Sequence, residues 1–333
     1  MSRPTIPDQV VPPPARAGGR RAAGRGVRPG RTRRGRPRGG GHAASTPHSL
    51  AGDAWRDLRR SPVFLISAAI IVVLVAMAAA PGLFTSTDPE ACDLAFSRQP
   101  PSASAWFGYD LQGCDMYART VYGARASILV GVLTTIGIAV VGSVIGMIAG
   151  YHGGWLDTLL SRVTDMFFAV PMLLGAIIVL ATFPSTVQTP AWQTIGKVVL
   201  ALGVLGWTTV ARLMRSTVIQ VKQAEYVQAA RGLGAGSRRV LLRHVLPNAV
   251  APVVVYSTII LGVFVVLEAT LSFLGIGLRP PVISWGIAIS EARAYIRQSP
   301  HMLLFPGAFL SVTVLAFIML GDAVRDAFDP RLR

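Results

Sequence analysis

The amino-acid sequence predicts an all-α membrane protein with six transmembrane helices and a polar hairpin between spans four and five. Three observations carry that prediction. Of 333 residues, 52% are hydrophobic and only 14% are charged, well below the ~25% charged residues of an ordinary soluble domain. Several uncharged runs are long enough to cross a bilayer, which takes ~20 apolar residues. Between two of them lies EYVQAARGLGAGSRRVLLRHVLPN, Glu225 to Asn248, a basic stretch rich in glycine. In lipid every backbone polar group must be paired internally, so continuous apolar runs of this length are helices.

The chain opens with a segment of a different kind. Residues 1–60 hold fourteen arginines against the acids Asp8, Asp53 and Asp57, and so carry most of the net charge of +16. Residues 1–48 are rich in Arg, Gly and Pro and lack the apolar residues that a core needs, which predicts a disordered tail. Such tracts bind RNA or anionic lipid in some proteins. Our reading is a solvated cytoplasmic tail, with no specific nucleic-acid partner. The first apolar run begins only near Pro62 and is too long for the apolar core of a signal peptide.

The six predicted spans are Val63 to Phe84, Ala126 to about Tyr151, about Thr164 to about Thr182, about Trp192 to Leu213, Ala249 to about Phe273, and Met302 to Gly321. Lys197, near one end of the fourth, can snorkel to the interface. Lys and Arg near span ends set orientation. Arg56, Arg59 and Arg60 abut the first span and place the N-terminus in the cytoplasm. Six crossings return the C-terminus to that side. The segment between spans four and five agrees: Arg212, Arg215, Lys222, Arg231, Arg238, Arg239 and Arg243 face the single acid Glu225. The first outer loop instead holds Asp88, Glu90, Asp93, Asp110 and Asp115.

Cys92 and Cys114 both fall in that outer loop, on the oxidising side, where only one pairing exists. We read them as a disulfide, the alternative being two free thiols. In the second span Gly142, Gly146 and Gly150 share one helix face. Small residues at this spacing let helix backbones approach closely in lipid, so they predict tight packing within the chain or against a partner.

Catalytic chemistry is missing from the pattern. No GxxxxGK[ST] phosphate loop occurs, no His, Cys and Glu set has metal-ligand spacing, and no nucleophile arrangement stands out. The reading assigns this chain no catalytic residue, no metal site and no cofactor. Energy for active transport would have to come from elsewhere. Of the acids near or within spans, Asp165 is placed at interfacial depth. Glu268 lies ~28 Å along the fifth span from Ala249, near the outer interface. An intramembrane acid is by default a functional candidate, here for a pathway or gate. The alternative, which we favour, is an interfacial carboxyl that hydrogen-bonds a neighbouring span and fixes packing.

Residues 216–248 read as two short helices. The first ends around Arg231, GLGAG at 232–236 supplies the turn, and Ser237 is a good N-cap for the second. Leu241, Leu242, Val245 and Leu246 are predicted to share one broad face, with Pro247 ending the segment before span five. A basic helix–turn–helix of this kind suits docking onto a soluble partner. The alternative is a hairpin lying on anionic lipid.

The hairpin resembles the EAA loop of bacterial ABC-importer permeases, whose pattern is EAA, three residues, Gly, then an apolar residue and Leu-Pro. Ala229, Ala230, Gly234, Leu246 and Pro247 match it; Gln228 replaces the Glu, and His244 the apolar residue. WFGYDLQGCDMYARTVYGARASILVG (106–131), GYHGGWLDTLLSRVTDMFFAVP (150–171), EATLSFLGIGLRPPVISWG (268–286) and GDAVRDAFDPRLR (321–333) resemble the C-type permease of dipeptide, oligopeptide and nickel importers. Residues 50–333 are covered in order; the arginine-rich tail is outside. Cys114 departs from the family's usual Arg, which together with Cys92 suggests a disulfide-bearing variant.

The resemblance implies a type I ABC-importer permease fold, with an N-terminal region at 49–123 and a permease domain at 124–333. It implies a multi-pass subunit of the bacterial inner membrane that performs no chemistry. The implied partners are a second homologous permease, two cytoplasmic ATPases that hold ATP and Mg, and an extracytoplasmic substrate-binding protein. Glu225, Tyr226, Ala229, Ala230, Arg231, Gly234, Leu246 and Pro247 would form the ATPase-coupling surface, with Glu225 covering for Gln228. Peptide is the substrate class implied first, nickel or another small solute second. A secondary transporter or channel would show ion-coupling residues at the midplane or broken helices; the sequence shows neither clearly. A membrane-bound scaffold is the remaining alternative.

Overall fold

The computed structural model describes residues 55–328 apart from Asp57. The disordered tail read at residues 1–48 lies outside them. Helix α1 (Pro62–Ala79) starts where Ser61 Oγ accepts the Phe64 N–H and Pro62 takes the first helical position; proline fits there because its missing N–H would be unpaired anyway. Its C-terminal carbonyls, those of Ala78 and Ala79, accept from Arg125 at 3.0 and 3.2 Å. Helix α2 (Met116–His152) is capped by Asp115, whose Oδ1 accepts the Ala118 N–H at 2.8 Å. It begins ten residues before the predicted second span because its polar first turns, excluded by hydropathy, find partners in the fold.

The third span is corrected. In place of one helix from Thr164 to Thr182, the chain forms α3 (Gly154–Phe168) and α4 (Met172–Thr182), bent by 81°. Pro171 lacks an N–H, and its ring disfavours helical backbone at Val170. Gly153 and Gly154, at φ +71° and +61°, turn the chain from α2 into α3. Helix α5 (Ala191–Val221) continues eight residues past the predicted Leu213. On either side of Leu213, Arg212 and Arg215 pair with Asp165 at 2.7 Å and with Asp157 at 2.5 Å.

After α6 (Glu225–Gly232), α7 runs from Ser237 to Phe273 without a break. The short α8 (Trp285–Ala292) and then α9 (His301–Phe328) complete the described chain. Five of these helices (α1, α2, α5, α7 and α9) are long and apolar enough to cross a membrane, and the bent pair α3–α4 is the sixth candidate. The architecture is all-helical, and strand-like pairing among the described residues is confined to isolated bridges at Cys92–Cys114 and Tyr109–Asp115.

Helix α2 lies against α5 along Gly142, Gly146 and Gly150. A Cβ on Gly142 would fall 2.6 Å from Val210 Cβ, one on Gly150 2.8 Å from the Arg215 carbonyl oxygen, and one on Gly146 on the Ala211 carbonyl oxygen. No side chain larger than hydrogen fits that seam. The main core forms around it, with Val198, Leu202, Val210, Met214 and Val218 of α5 fully buried.

The end of the bundle where α2 begins carries the long loops, and a disulfide joins Cys92 to Cys114 there. The buried Asp110 organises this region. Its Oδ1 accepts the Gln112 and Cys114 N–H groups at 2.9 and 2.8 Å, and its Oδ2 accepts from Arg119 at 2.6 Å. Phe107 stacks on Phe305 of α9 with ring centroids 3.9 Å apart. Burial pushes the nearby Glu291 carboxyl above its usual range, and Arg119 acts against that rise.

Two predictions follow from this packing. Gly146→Leu overpacks the α2–α5 seam, and we expect a loss of stability of about 3 kcal/mol or more, read as a lower melting temperature and lower folded yield in detergent. Peptide mapping without reductant is expected to recover residues around Cys92 and Cys114 as one linked species; two free thiols in oxidised membranes would refute the pairing. In the chain-entropy description, cross-linking positions 22 apart stabilises by roughly 3 kcal/mol.

Candidate functional site

The basic hairpin is built onto the end of α5 remote from the disulfide. Lys222, just past α5, donates to the carbonyls of Gly150 and Tyr151 at 2.8 and 3.4 Å. It thereby fills acceptors that the last turn of α2 leaves open. Helix α6 then carries one buried residue, Val227. The turn closes through bonds from the N–H groups of Leu233, Gly234 and Ala235 to the carbonyls of Ala229, Arg231 and Ala230, at 2.9–3.0 Å. Gly234 takes φ +82°, where a Cβ is unfavourable.

Apolar contacts hold this unit to the bundle. Val227, Val240 and Val245 are fully buried and belong to the same core as Met214 and Val218. Tyr151 of α2 adds a hydrogen bond to the Ser237 carbonyl at 3.1 Å, and the Arg231 guanidinium lies over its ring at 5.9 Å. The outward side carries Glu225, Tyr226, Gln228, Ala229, Arg231 and Gly234, then Arg238, Arg239 and Arg243. Gly236, Ser237, Arg238, Arg239, Leu242 and Arg243 line an open cleft there. The surface is strongly positive, with Glu225 the one acid from Glu225 to Asn248.

The second half of the hairpin departs from the sequence reading in three respects. Gly236, not Ser237, holds the N-cap position, and no side chain caps the helix. Leu242 does not share the buried face of Val245 but is 49% exposed. Pro247 does not end the segment, since it lies inside α7. One cause underlies the last two. Residues Leu241–Val245 form a π-helical turn, which inserts extra arc and rotates the residues around it. It also widens the helix at Arg243, whose carbonyl a proline at 247 would otherwise crowd.

Of the other residues singled out in the sequence, Ala230 and Leu246 are half-buried at the hairpin base, and Pro247 is exposed. Gln228 donates from Nε2 to the Gln223 carbonyl at 3.0 Å, tying α6 to the end of α5. A carboxylate at 228 has no proton for that bond. Glu225 sits in the first turn of α6 and is exposed. Glu268 is not part of the hairpin: it lies about 45 Å along α7 from Ser237. Sequence reasoning missed Leu233, which is 89% exposed at the tip. An isolated apolar residue between glycines, in GLGAG, was the clue.

Comparison with known proteins accounts for this architecture. Residues 142–333 match the family described as binding-protein-dependent transport system inner membrane component. Residues 49–101 match the N-terminal TM domain of oligopeptide transport permease C. The chain belongs to this family of transport-system permeases. It is 34% identical over 281 residues to the dipeptide transport system permease protein DppC of Alkalihalophilus pseudofirmus, covering 84% of this chain and 90% of that one. It is 35% identical over 285 residues to the oligopeptide transport system permease protein OppC of Bacillus subtilis, covering 86% and 91%. A glutathione transport system permease, GsiD of Pectobacterium atrosepticum, is 34% identical over 280 residues, covering 84% and 90%. Among solved structures, a chain of the methionine ABC transporter MetNI aligns with TM-score 0.50 and 18% identity, covering 63% of this chain and 96% of that one. That likeness concerns the fold. The permease is thus a multi-pass membrane translocation component whose hairpin is anchored by apolar contacts and displayed on a basic face.

Seating depends on the three buried valines. Val227→Asp places a charge in that core, and the hairpin is expected to detach while the spans remain folded. Trypsin cleavage at Arg231, Arg238 and Arg239 in detergent should then accelerate at least about tenfold, the equivalent of a buried-charge penalty of 1.4 kcal/mol or more. An unchanged cleavage rate would show that other contacts hold it.

Proposed function

We propose that this permease imports peptides into the cytoplasm, powered by two ATPase subunits that dock on the hairpin. In this reading it pairs with a second homologous permease, and an extracytoplasmic binding protein delivers the substrate. The ATPases hold the ATP and Mg; this chain binds neither and performs no chemistry. The single observation that carries the reading is the hairpin tip. Leu233 is 89% exposed, flanked by glycines and arginines, on a unit whose valines are locked into the bundle. A free apolar tip on a firmly held base suits a groove in a soluble partner, and the arginines favour an acidic rim.

Orientation follows on the same footing. With the hairpin in the cytoplasm, the arginine-rich start and both termini lie there too, in agreement with the bias of Lys and Arg. The disulfide-bearing loops then face the oxidising side. Peptide is favoured as cargo because the relatives named above are dipeptide, oligopeptide and glutathione permeases. ATP-driven closure of the ATPases would draw the hairpins together, and hydrolysis would release them. The permease acts as a two-state element biased from both faces.

Two measurements test this. The tagged permease is expected to co-purify with a phosphate-loop ATPase and to support uptake of labelled di- and oligopeptides. Gly234→Asp adds a side chain at φ +82° and a negative charge at the tip. Uptake should fall at least about tenfold, because the carboxylate puts the wrong charge at the tip facing an acidic rim, while membrane insertion is unchanged. Normal uptake by that variant would overturn the docking role.

A further inference from the structure

At the end of α7 remote from the hairpin, the stretch EATLSFLGIGLRPPVISWG (268–286) folds around one carboxyl group. Glu268 is 0% exposed. Its Oε1 accepts from Ser272 Oγ at 2.8 Å. The hydroxyls of Ser127 on α2 and Ser284 ahead of α8 lie near the same carboxyl. Each of the three serine oxygens already accepts a backbone N–H: Ser272 from Leu278 at 3.0 Å, Ser127 from Trp285 and Ser284 from Ile287, both at 3.3 Å. A hydroxyl has a single proton to donate, and Ser272 gives its proton to Glu268.

The surroundings are equally close-fitting. Trp285 is fully buried and donates its indole N–H to the Thr120 carbonyl of α2 at 2.8 Å. A Cβ on Gly286 would fall 2.7 Å from Ala269 Cα, and one on Gly277 2.5 Å from the Ser272 nitrogen. The residues of this stretch therefore serve one joint, in which α2, α7, the loop 274–284 and α8 meet at Glu268. The joint is incompletely closed: Glu268 Oε2 is buried without a hydrogen-bond partner. A buried polar oxygen left unpaired is costly, so a small shift that brings Ser127 or Ser284 onto Oε2 is favoured locally.

We propose that Glu268 is a positioning residue that clamps the loop between α7 and α8 onto α7 and α2, passing movement of the hairpin to that loop. The two sites share one helix, since α7 is continuous from Ser237 to Phe273. The inference rests on the docking role proposed for the hairpin, and its test separates the two. The permease is reconstituted in nanodiscs with its partner permease and ATPase subunits. Amide hydrogen exchange is then followed at both ends, with and without trapping by ATP and vanadate. In the wild type, trapping should change exchange roughly fivefold or more both in the hairpin, at 227–235, and in the loop with the start of α8, at the amides of Leu278, Trp285 and Ile287. In Glu268→Ala the hairpin should respond as before and the loop should no longer respond. A purely structural role would lower yield without separating the two responses. A loop response that persists in Glu268→Ala, or is missing from the wild type while the hairpin responds, overturns the proposal. A hairpin silent in the wild type overturns the docking role instead. If Glu268→Ala does not assemble, Ser272→Ala, which removes the hydroxyl that links Glu268 to the Leu278 amide, is expected to lose the loop response, and its retention counts against the clamp.

Discussion

The close approach of α2 and α5 over Gly142, Gly146 and Gly150 is the constraint on which the other contacts depend. Apolar helices gain no hydrophobic energy from meeting in lipid; short-range packing and hydrogen bonds hold them instead. With hydrogen alone in the seam, the α5 backbone comes within contact of α2 along three turns. That places Lys222 over the last carbonyls of α2. It also leaves Arg215 and Arg212 pointing at Asp157 and Asp165 of α3. The bidentate pair between Arg215 and Asp157, at 2.5 and 2.7 Å, holds an amphipathic helix against the bundle. The hairpin inherits its position from these contacts, because its first helix follows α5 after three residues.

Hydropathy made the spans legible and left their ends obscure. The start of α2 at Met116 was hidden by Arg119 and Arg125, which read as loop residues. In the fold Arg119 meets the buried Asp110, and Arg125 caps α1. The first part of helix α3 was hidden in the same way by Asp157 and Arg162. Pro171 was visible, yet the apolar run on both sides of it read as one helix. In the hairpin the turn was plain, since GLGAG has a local cause. The second helix was not, because a π-helical turn at Leu241–Val245 is a consequence of tertiary seating. Val240 and Val245 must both reach the core, and a regular α-helix cannot present them and accommodate Pro247 in the same turn. Counting along the span placed Glu268 near a membrane interface. Its burial was illegible, because Ser127 and Ser284 come from distant parts of the chain.

On the coupling proposed above, the course of α7 would set how the two ends of the bundle communicate. Its departures from regular geometry are the π-helical turn at Leu241–Val245 and the prolines at 247 and 252. All lie in the part nearest the hairpin. Sharp bends in helices occur at such places and seldom elsewhere. From Val253 to Phe273 the helix has no proline, and Phe264, Val265 and Leu271 are fully buried in close-packed core, which transmits displacement rather than absorbing it. Val240, Val245 and Ala249 are buried in the main core as well, so a hairpin driven by a docked partner would carry these first turns with it, bending at the π-helical turn and the prolines, while the remainder of α7 would move as a body. Whatever reached Glu268 in that way would be a shift of the whole segment. On the clamp proposed above, the joint there would answer to such a shift through Ser272, which bonds both Glu268 and the Leu278 amide, and through an oxygen of Glu268 still unpaired.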